Sequence, residues 1–178
     1  MMVSRMKKSQ FLLLDAGPII KLFELGIWDK FIKKYDVTIS RTIAEEEVVF
    51  ASKEDEKEWI DLSPYESLIK IVDVSPSKIA AFHSRFATQL LRIDIHHGEI
   101  EILAFFFESS EPWRVCASDG PVFQFLGMTG KSEQGISLEE VLREIGLSQQ
   151  KLEWQYTKGF REKYTGLGRI DSIQSGGL

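Results

Sequence analysis

Residues 11–25 read FLLLDAGPIIKLFEL, and this stretch contains the pattern that decides the fold. The first four residues are all apolar. A short apolar run that ends in a turn signal is typical of a strand buried on both faces of a parallel sheet. Pro18 then begins a second apolar segment, and proline is favoured in the first turn of a helix. The stretch therefore predicts a strand that passes directly into a helix, with Asp15 at the tip of the strand.

The rest of the chain repeats this alternation of strand-like and helix-like segments. Further strands are predicted over residues 36–40, 68–74 and 113–118. Helices are predicted over residues 28–35, 42–50, 54–62, 75–91, 98–108, 121–128 and 149–164, with another starting at the capping box Ser137–Glu140. Alternating strands and helices favour an α/β fold of three layers, in which helices cover both faces of a central parallel sheet.

Length and composition indicate one folded domain. The chain has 178 residues and is 43% hydrophobic, which is enough for a single sizeable core. Residues 1–10 have no core pattern, and the Gly- and Ser-rich end beyond Tyr164 is expected to fray. We therefore expect a flexible N-terminal extension over residues 1–10, a domain over 11–146, and a C-terminal helix with a flexible tail over 147–178.

Several classes of protein are disfavoured by composition. No apolar stretch approaches the ~20 residues of a membrane span, and the apolar run after the basic N-terminus is too short for a signal peptide. The single cysteine, Cys116, excludes an internal disulfide and lies in an apolar strand, so we expect it in the core. A soluble cytoplasmic protein is the expectation.

The net charge of −5 is not that of a protein that binds nucleic acid by bulk electrostatics. It does not exclude a nuclease. Clustered acids at an active site contribute negative charge, and a bound metal ion reverses their effect locally.

Four acidic residues each lie at the edge of an apolar element. Asp15 and Asp119 follow strands, Glu46 lies in ISRTIAEEEVV, and Glu99 opens GEIEILAFF. A buried charge without a partner is costly, so four such groups meeting in space would require a cation. Hard divalent ions such as Mg²⁺ and Mn²⁺ prefer oxygen ligands. Convergence of the four would predict metal-assisted phosphodiester chemistry.

Each of these acids also has a simpler interpretation. Asp15 and Asp119 could be N-caps of the helices that follow them. Glu46 and Glu99 could be acidic first-turn residues that favour the helix dipole. Helical spacing modestly favours Glu46 over its two glutamate neighbours, because residues 43, 49 and 50 place it within the apolar stripe.

Helical spacing also separates the acids around residue 100. Glu99 is in line with the apolar face of its helix and is predicted to point inward, whereas Glu101 falls on a stripe expected to be solvated. His96 and His97 precede this helix. They lack the cysteine or second-histidine spacing of a zinc site. Two interpretations stay open: the histidines contact phosphate, or they simply lie in a loop.

The ordered motifs LLLDAGPIIKL, ISRTIAEEEV, HHGEIEILAF and VCASD resemble those of the PIN-domain family of metal-dependent ribonucleases. The resemblance covers about residues 11–146 and is greatest to small prokaryotic members related to the toxins of toxin–antitoxin pairs. It implies a PIN-like α/β/α fold and endoribonuclease activity that depends on Mg²⁺ or Mn²⁺. It also implies RNA as substrate, an antitoxin protein as a candidate partner, a homodimer and no membrane association.

The resemblance further assigns roles to residues. Asp15, Glu46, Glu99 and Asp119 would be both the metal ligands and the catalytic residues, and Ser118 would supply a substrate-binding hydroxyl. Many PIN proteins carry a further acid just after the fourth one, where this chain has GPVF. The departure supports an alternative function, a PIN-fold binding or scaffold protein with weak or no catalysis.

Two other phosphate-handling folds fit the residues less well. A haloacid-dehalogenase-type phosphatase needs a second aspartate two residues after the first, where this chain has Gly17. A receiver domain needs a pair of acids at the end of the first strand, and Asp15 stands alone there.

Overall fold

The computed structural model describes residues 11–149 and 151–176, which form an α/β fold around a parallel sheet. The strands are β1 (Phe11–Leu14), β2 (Asp36–Ser40), β3 (Phe50–Lys53), β4 (Glu56–Trp59), β5 (Lys70–Val72), β6 (Arg114–Cys116) and β7 (Gly135–Ile136). The parallel sheet has the order β5-β2-β1-β6-β7, while β3 and β4 pair with each other as an antiparallel hairpin. The expected α/β class with a central parallel sheet is confirmed.

Helices connect these strands and flank the sheet. They are α1 (Ala16–Glu24), α2 (Trp28–Ile32), α3 (Pro76–Arg85), α4 (Ala87–Leu90), α5 (His97–Glu108), α6 (Gly120–Met128), α7 (Leu138–Glu144) and α8 (Lys158–Ser175). A short π-helical turn covers Ile43–Glu47. Among the described residues, none of the helices is both long and apolar enough to cross a membrane.

The core is centred on β1, the middle strand of the sheet. Its residues Leu12, Leu13 and Leu14 have no exposed surface. Burying each leucine side chain contributes about 1.5–3 kcal/mol to folding, which explains why a fully apolar run takes the central position. Cys116, in the neighbouring β6, is also fully buried, as expected for a small core residue.

The chain adds strands to the sheet on both sides of β1. From β1 the chain moves to β2 and β5 on one side, and later from β6 to β7 on the other. Right-handed crossovers in opposite directions place their helices on opposite faces of the sheet. This topology predicts a crevice beyond the carboxyl ends of β1 and β6, at the switch point where open parallel sheets bind ligands. The Asp15 N–H donates to the Cys116 carbonyl oxygen at 3.0 Å and extends the ladder to the crevice.

The helix predicted over residues 54–62 is wrong, because this segment contains β4 and the turn that leads into it. Glu54 and Asp55 form the two-residue turn between Lys53 and Glu56, with φ of 49° and 67°. Positive φ at both central residues is typical of hairpin turns that match the twist of the strands. The usual Asn-Gly or Asp-Gly signal is absent, so the charged segment resembled a solvated helix.

The helix predicted over residues 42–50 is also wrong. The chain makes one π-helical turn, in which the Val48 N–H donates to the Ile43 carbonyl oxygen at 2.9 Å, and then enters β3. A π-turn has more residues per turn than an α-helix, so side chains after Ile43 leave the positions that a period of 3.6 predicts.

The C-terminal helix lies further along the chain than predicted. It begins at Lys158 and continues to Ser175, through the Gly- and Ser-rich stretch expected to fray. A methyl group built at Gly168 would lie 1.9 Å from the Gln124 carbonyl oxygen, so α8 and α6 pack backbone against backbone. This packing offsets the entropic cost of glycine in a helix. Residues 1–10, predicted to be a flexible extension, lie outside the described residues.

Candidate metal centre

Asp15 lies in the crevice, directly after β1. Asp15 is 6% exposed. It occupies the N-cap position of α1, but its side chain makes no capping hydrogen bond. The simpler interpretation of Asp15 as an N-cap is therefore not supported. Burial is the main cause that raises the pKa of Asp15, and the Ala16 N–H opposes this effect.

Asp119 lies on the other side of the switch point. It occupies the N-cap position of α6, and it too makes no side-chain capping hydrogen bond. Its side chain is 41% exposed, so the carboxylate is open to solvent and to a ligand. Asp15 and Asp119 repel each other enough for Asp119 to raise the pKa of Asp15. The two strand-end aspartates thus face the same crevice from neighbouring strands.

Glu99 approaches these aspartates from the first turn of α5. It is 3% exposed, which confirms that it points inward. Its Oε2 accepts the backbone N–H of His96 at 3.0 Å, so it also has the helix-capping role that its position suggests. Burial raises the pKa of Glu99, and repulsion by Asp15 and Asp119 raises it further.

Asp15 and Glu99 influence each other's charge. The interaction between the two side chains lowers the pKa of Asp15 and raises that of Glu99, so it favours the charged form of Asp15 and the neutral form of Glu99. Two carboxylates that share a buried site cannot both ionise at low cost. A cation held by these acids would favour the charged form of both groups.

His96 joins the group from the residue before α5. Its Nδ1 lies 3.4 Å from Asp119 Oδ2 and 3.9 Å from Glu99 Oε2. One ligand atom each from His96, Glu99 and Asp119 lie within 4.8 Å of one another. His96 has no metal-ligand spacing in the sequence, and its only signal there is its position just before the Gly98-Glu99 pair.

The glutamate of the second motif that comes near the site is Glu47. Glu46 is exposed, so the expectation that it lies on the inward stripe is wrong, and the structure does not bring it into the group. Glu47 is half-buried, accepts the backbone N–H of Gly98 and raises the pKa of Asp15. The π-helical turn produces this exchange, because the predicted stripe assumed α-helical spacing.

Two glycines allow this close packing. A methyl group built at Gly98 would lie 2.4 Å from Glu47 Oε1, and one at Gly17 would lie 1.9 Å from Ser118 Oγ. Any side chain at these positions would displace Glu47 or Ser118. Ser118 itself is half-buried between β6 and Asp119, and its predicted contact with substrate stays a prediction.

Glu101 is the acid whose environment was predicted incorrectly. It is 8% exposed instead of solvated, and its Oε1 accepts the Thr42 hydroxyl at 2.8 Å. His97 Nε2 lies 3.4 Å from the same oxygen. Glu101 also raises the pKa of Glu47. Glu47 and Glu101 therefore form a second pair of acids, beside the pair Asp15 and Glu99.

The chemistry of this donor set fits a hard divalent cation. Asp15, Glu99 and Asp119, with Glu47 beside them, supply carboxylate oxygens, which Mg²⁺ and Mn²⁺ prefer. With a single histidine and no cysteine, the described group does not fit a structural zinc site.

Comparisons with known proteins add no second line of support for this centre. No family model, curated protein or solved structure matches the chain, so the assignment rests on topology, distance and charge.

Proposed function

We propose that this protein is a divalent-metal-dependent endoribonuclease with a PIN-like domain. Asp15, Glu99 and Asp119 hold Mg²⁺ or Mn²⁺, and Glu47 takes the place that the sequence pattern gave to Glu46. RNA is the substrate, and an antitoxin protein and a second copy of the chain are the expected partners.

The observation that carries the proposal is the convergence of three acids, Asp15, Glu99 and Asp119, at the switch point. Asp15 and Glu99 are almost completely buried, and burial is the main cause that raises the pKa of each. Repulsion by Glu47 and Asp119 raises the pKa of Asp15 further, and repulsion by Asp15 and Asp119 raises that of Glu99. Such an arrangement lowers the stability of the fold, and natural proteins keep it where a ligand compensates for it. The position beyond β1 and β6 is the one where sheets of this topology bind ligands.

The chemistry follows from what each group supplies. A divalent ion at this site would polarise a phosphate oxygen and lower the pKa of a bound water. Asp15 and Glu99, which are 6% and 3% exposed, would hold the ion from the buried side of the site. The side chains of Asp119 and His96 are 41% and 66% exposed. They can therefore contact an RNA chain that lies across the protein surface.

The test is cleavage of a mixed RNA panel with Mn²⁺ or Mg²⁺ by the wild type, Asp15→Asn and Asp119→Asn. Removing a ligand should reduce cleavage by about 100-fold or more. Glu108→Gln is the matched control, because Glu108 is exposed, pairs with Lys78 and lies at the far end of α5. Chelation of the metal should abolish cleavage by the wild type.

Equal rates from the wild type and both aspartate variants, all correctly folded, would contradict the proposal. Binding of Mn²⁺ that requires Asp15 but produces no cleavage would favour the scaffold alternative, in which the site is structural. The missing acid after Asp119 is the feature that would then explain the lack of catalysis.

A further inference from the structure

The β3–β4 hairpin, which follows the π-helical turn of Glu47, presents two aromatic residues to solvent. Phe50 is 36% exposed and Trp59 is 73% exposed. They are cross-strand partners, with ring centroids 4.2 Å apart and planes inclined by 47°. A tryptophan of this exposure leaves most of its ring without a protein neighbour, although aromatic rings are normally buried.

The two faces of the hairpin differ in chemistry. Side chains alternate along a strand, and the register places Phe50, Ser52, Lys57 and Trp59 on one face. The opposite face carries the acids Glu56 and Glu58, together with Lys53 and the buried Ala51. The negative charges of the strands therefore lie away from the aromatic face, where a lysine is the charged residue.

Lys57 is available to an anion. Its Nζ lies 5.5 Å from the centroid of the Phe50 ring, and it forms no ion pair within residues 11–149 and 151–176. Lys53, on the opposite face, is paired with Glu58 at 3.0 Å. An aromatic ring beside an unpaired cation is the combination that binds a base and its phosphate in single-stranded nucleic acids.

The chain path connects this face to the segment that carries Glu47. Phe50 follows Glu47 by three residues, so their Cα atoms are at most ~11 Å apart, and Trp59 lies opposite Phe50. An RNA strand bound at the metal would therefore have a path along the segment of Glu47 toward the aromatic face.

We propose that Trp59, supported by Phe50 and Lys57, is a base-stacking platform that holds an unpaired nucleotide of the RNA beside the metal centre. The inference rests on the proposed function and specifies its substrate class, because stacking on an exposed ring requires a base that is not paired in a duplex. Trp59 is a substrate-binding residue, and the metal-holding acids do not depend on it.

The first test is equilibrium binding of a fluorescent single-stranded RNA, with Ca²⁺ as the hard cation. Trp59→Leu should weaken binding about 5- to 150-fold, while Trp59→Phe should keep most of the affinity. Lys57→Gln should lower the salt dependence of binding. Glu56→Gln, on the opposite face, is the matched control and should not weaken binding.

The second test places the base. A series of oligonucleotides, each lacking one base near the cleavage site, should reveal one position whose removal weakens binding to the wild type. The same removal should have no further effect in Trp59→Leu, because the two changes delete one interaction.

The two proposals fail in different ways. RNA cleavage that is unchanged in Trp59→Leu, or base-removal effects that simply add to those of Trp59→Leu, would overturn the platform and leave the aromatic face to a protein partner. Binding that depends on Trp59 without any cleavage would support the platform and contradict the nuclease. Neither binding nor cleavage by the wild type would overturn both.

Discussion

Two glutamates at the third position of their helices, Glu99 and Glu140, have opposite electrostatic environments. Glu99 in α5 and Glu140 in α7 are each the third helical residue, and each accepts the backbone N–H of its N-cap residue, at 3.0 Å and 2.9 Å. Glu140 also receives two hydrogen bonds from the Arg161 guanidinium, at 2.7 Å and 2.8 Å, which hold its pKa below the usual range. Glu99 instead faces Asp15 and Asp119, and its pKa is raised.

The difference separates a structural acid from a candidate functional one. Capping explains both glutamates equally well, so it cannot explain why only Glu140 is neutralised by a cation from the chain. A buried carboxylate beside other carboxylates destabilises the fold unless a cation binds there. The comparison predicts that Glu140 contributes to stability, and that Glu99 contributes to metal binding and activity.

The largest expected effect is on activity. Glu99→Gln should lower metal-dependent RNA cleavage by about 100-fold or more, because the amide keeps the bond from His96 but cannot supply a charged ligand. Initial rates with Mn²⁺ measure this loss. The same loss in a correctly folded Glu140→Gln protein would show that the comparison does not separate the two roles.

The next effect is on stability. Glu140→Gln should lower the free energy of unfolding by about 1–3 kcal/mol, because Arg161 would lose charge-assisted hydrogen bonds at side-chain exposures of 15% and 20%. Urea unfolding measures the change. Glu139→Gln is the control, because its partner Arg143 is 64% exposed and the pair should contribute less than about 1 kcal/mol. An equal loss in Glu139→Gln would argue against a special role for the Glu140–Arg161 pair.

The pH dependence of stability should have opposite signs for the two glutamates. Folding raises the pKa of Glu99 from 4.5 to about 9, so without metal its contribution is present below pH 4.5 and is lost as pH rises toward 9. Folding lowers the pKa of Glu140, so its contribution is present above pH 4.5 and is lost as pH falls through the folded value. Each slope is at most about 1.4 kcal/mol per pH unit.

Melting temperatures in chelator between pH 3 and pH 9 test both signs. Glu99→Gln should flatten the loss at high pH, and Glu140→Gln should flatten the loss at low pH. Saturating Mn²⁺ should also flatten the high-pH side of the wild type, since the ion replaces the proton. A high-pH side that is unchanged by Glu99→Gln would mean that another group causes it.

The smallest effect concerns the second motif. Glu47→Gln should weaken Mn²⁺ binding by about 10-fold, and Glu46→Gln should change it by less than about two-fold, because only Glu47 lies beside Gly98 and Asp15. Isothermal titration calorimetry compares the two adjacent variants. A larger loss of Mn²⁺ binding in Glu46→Gln than in Glu47→Gln would support the original prediction from α-helical spacing, in which Glu46 binds the metal.

The sequence pattern was sufficient where a side chain's direction depends on local geometry alone. Asp15 and Asp119 follow apolar strands, and the carboxyl ends of parallel strands lie along one edge of the sheet, so their common location was predictable. Glu99 begins an ordinary α-helix, and its inward direction followed from a period of 3.6.

The pattern failed where the backbone departed from ordinary geometry or where distant segments supplied the environment. The π-helical turn exchanged Glu46 for Glu47, and the turn at Glu54 and Asp55 made a hairpin of a segment with helical composition. The burial of Glu101 depends on Thr42, which lies 59 residues away in the chain. The periodicity of the sequence around Glu101 cannot predict a contact between residues so far apart in the chain.

The sequence by itself therefore determined the strands β1, β2, β5 and β6, the α/β class and three acids of the candidate site, because hydrophobic periodicity fixes which side of an element is buried. Only the tertiary structure decided which acids are neutralised. Glu140 meets Arg161 from α8, whereas Glu99 meets Asp15 and Asp119. Charge compensation depends on distances between segments that are far apart in the chain, and those distances exist only after the sheet and its helices have packed.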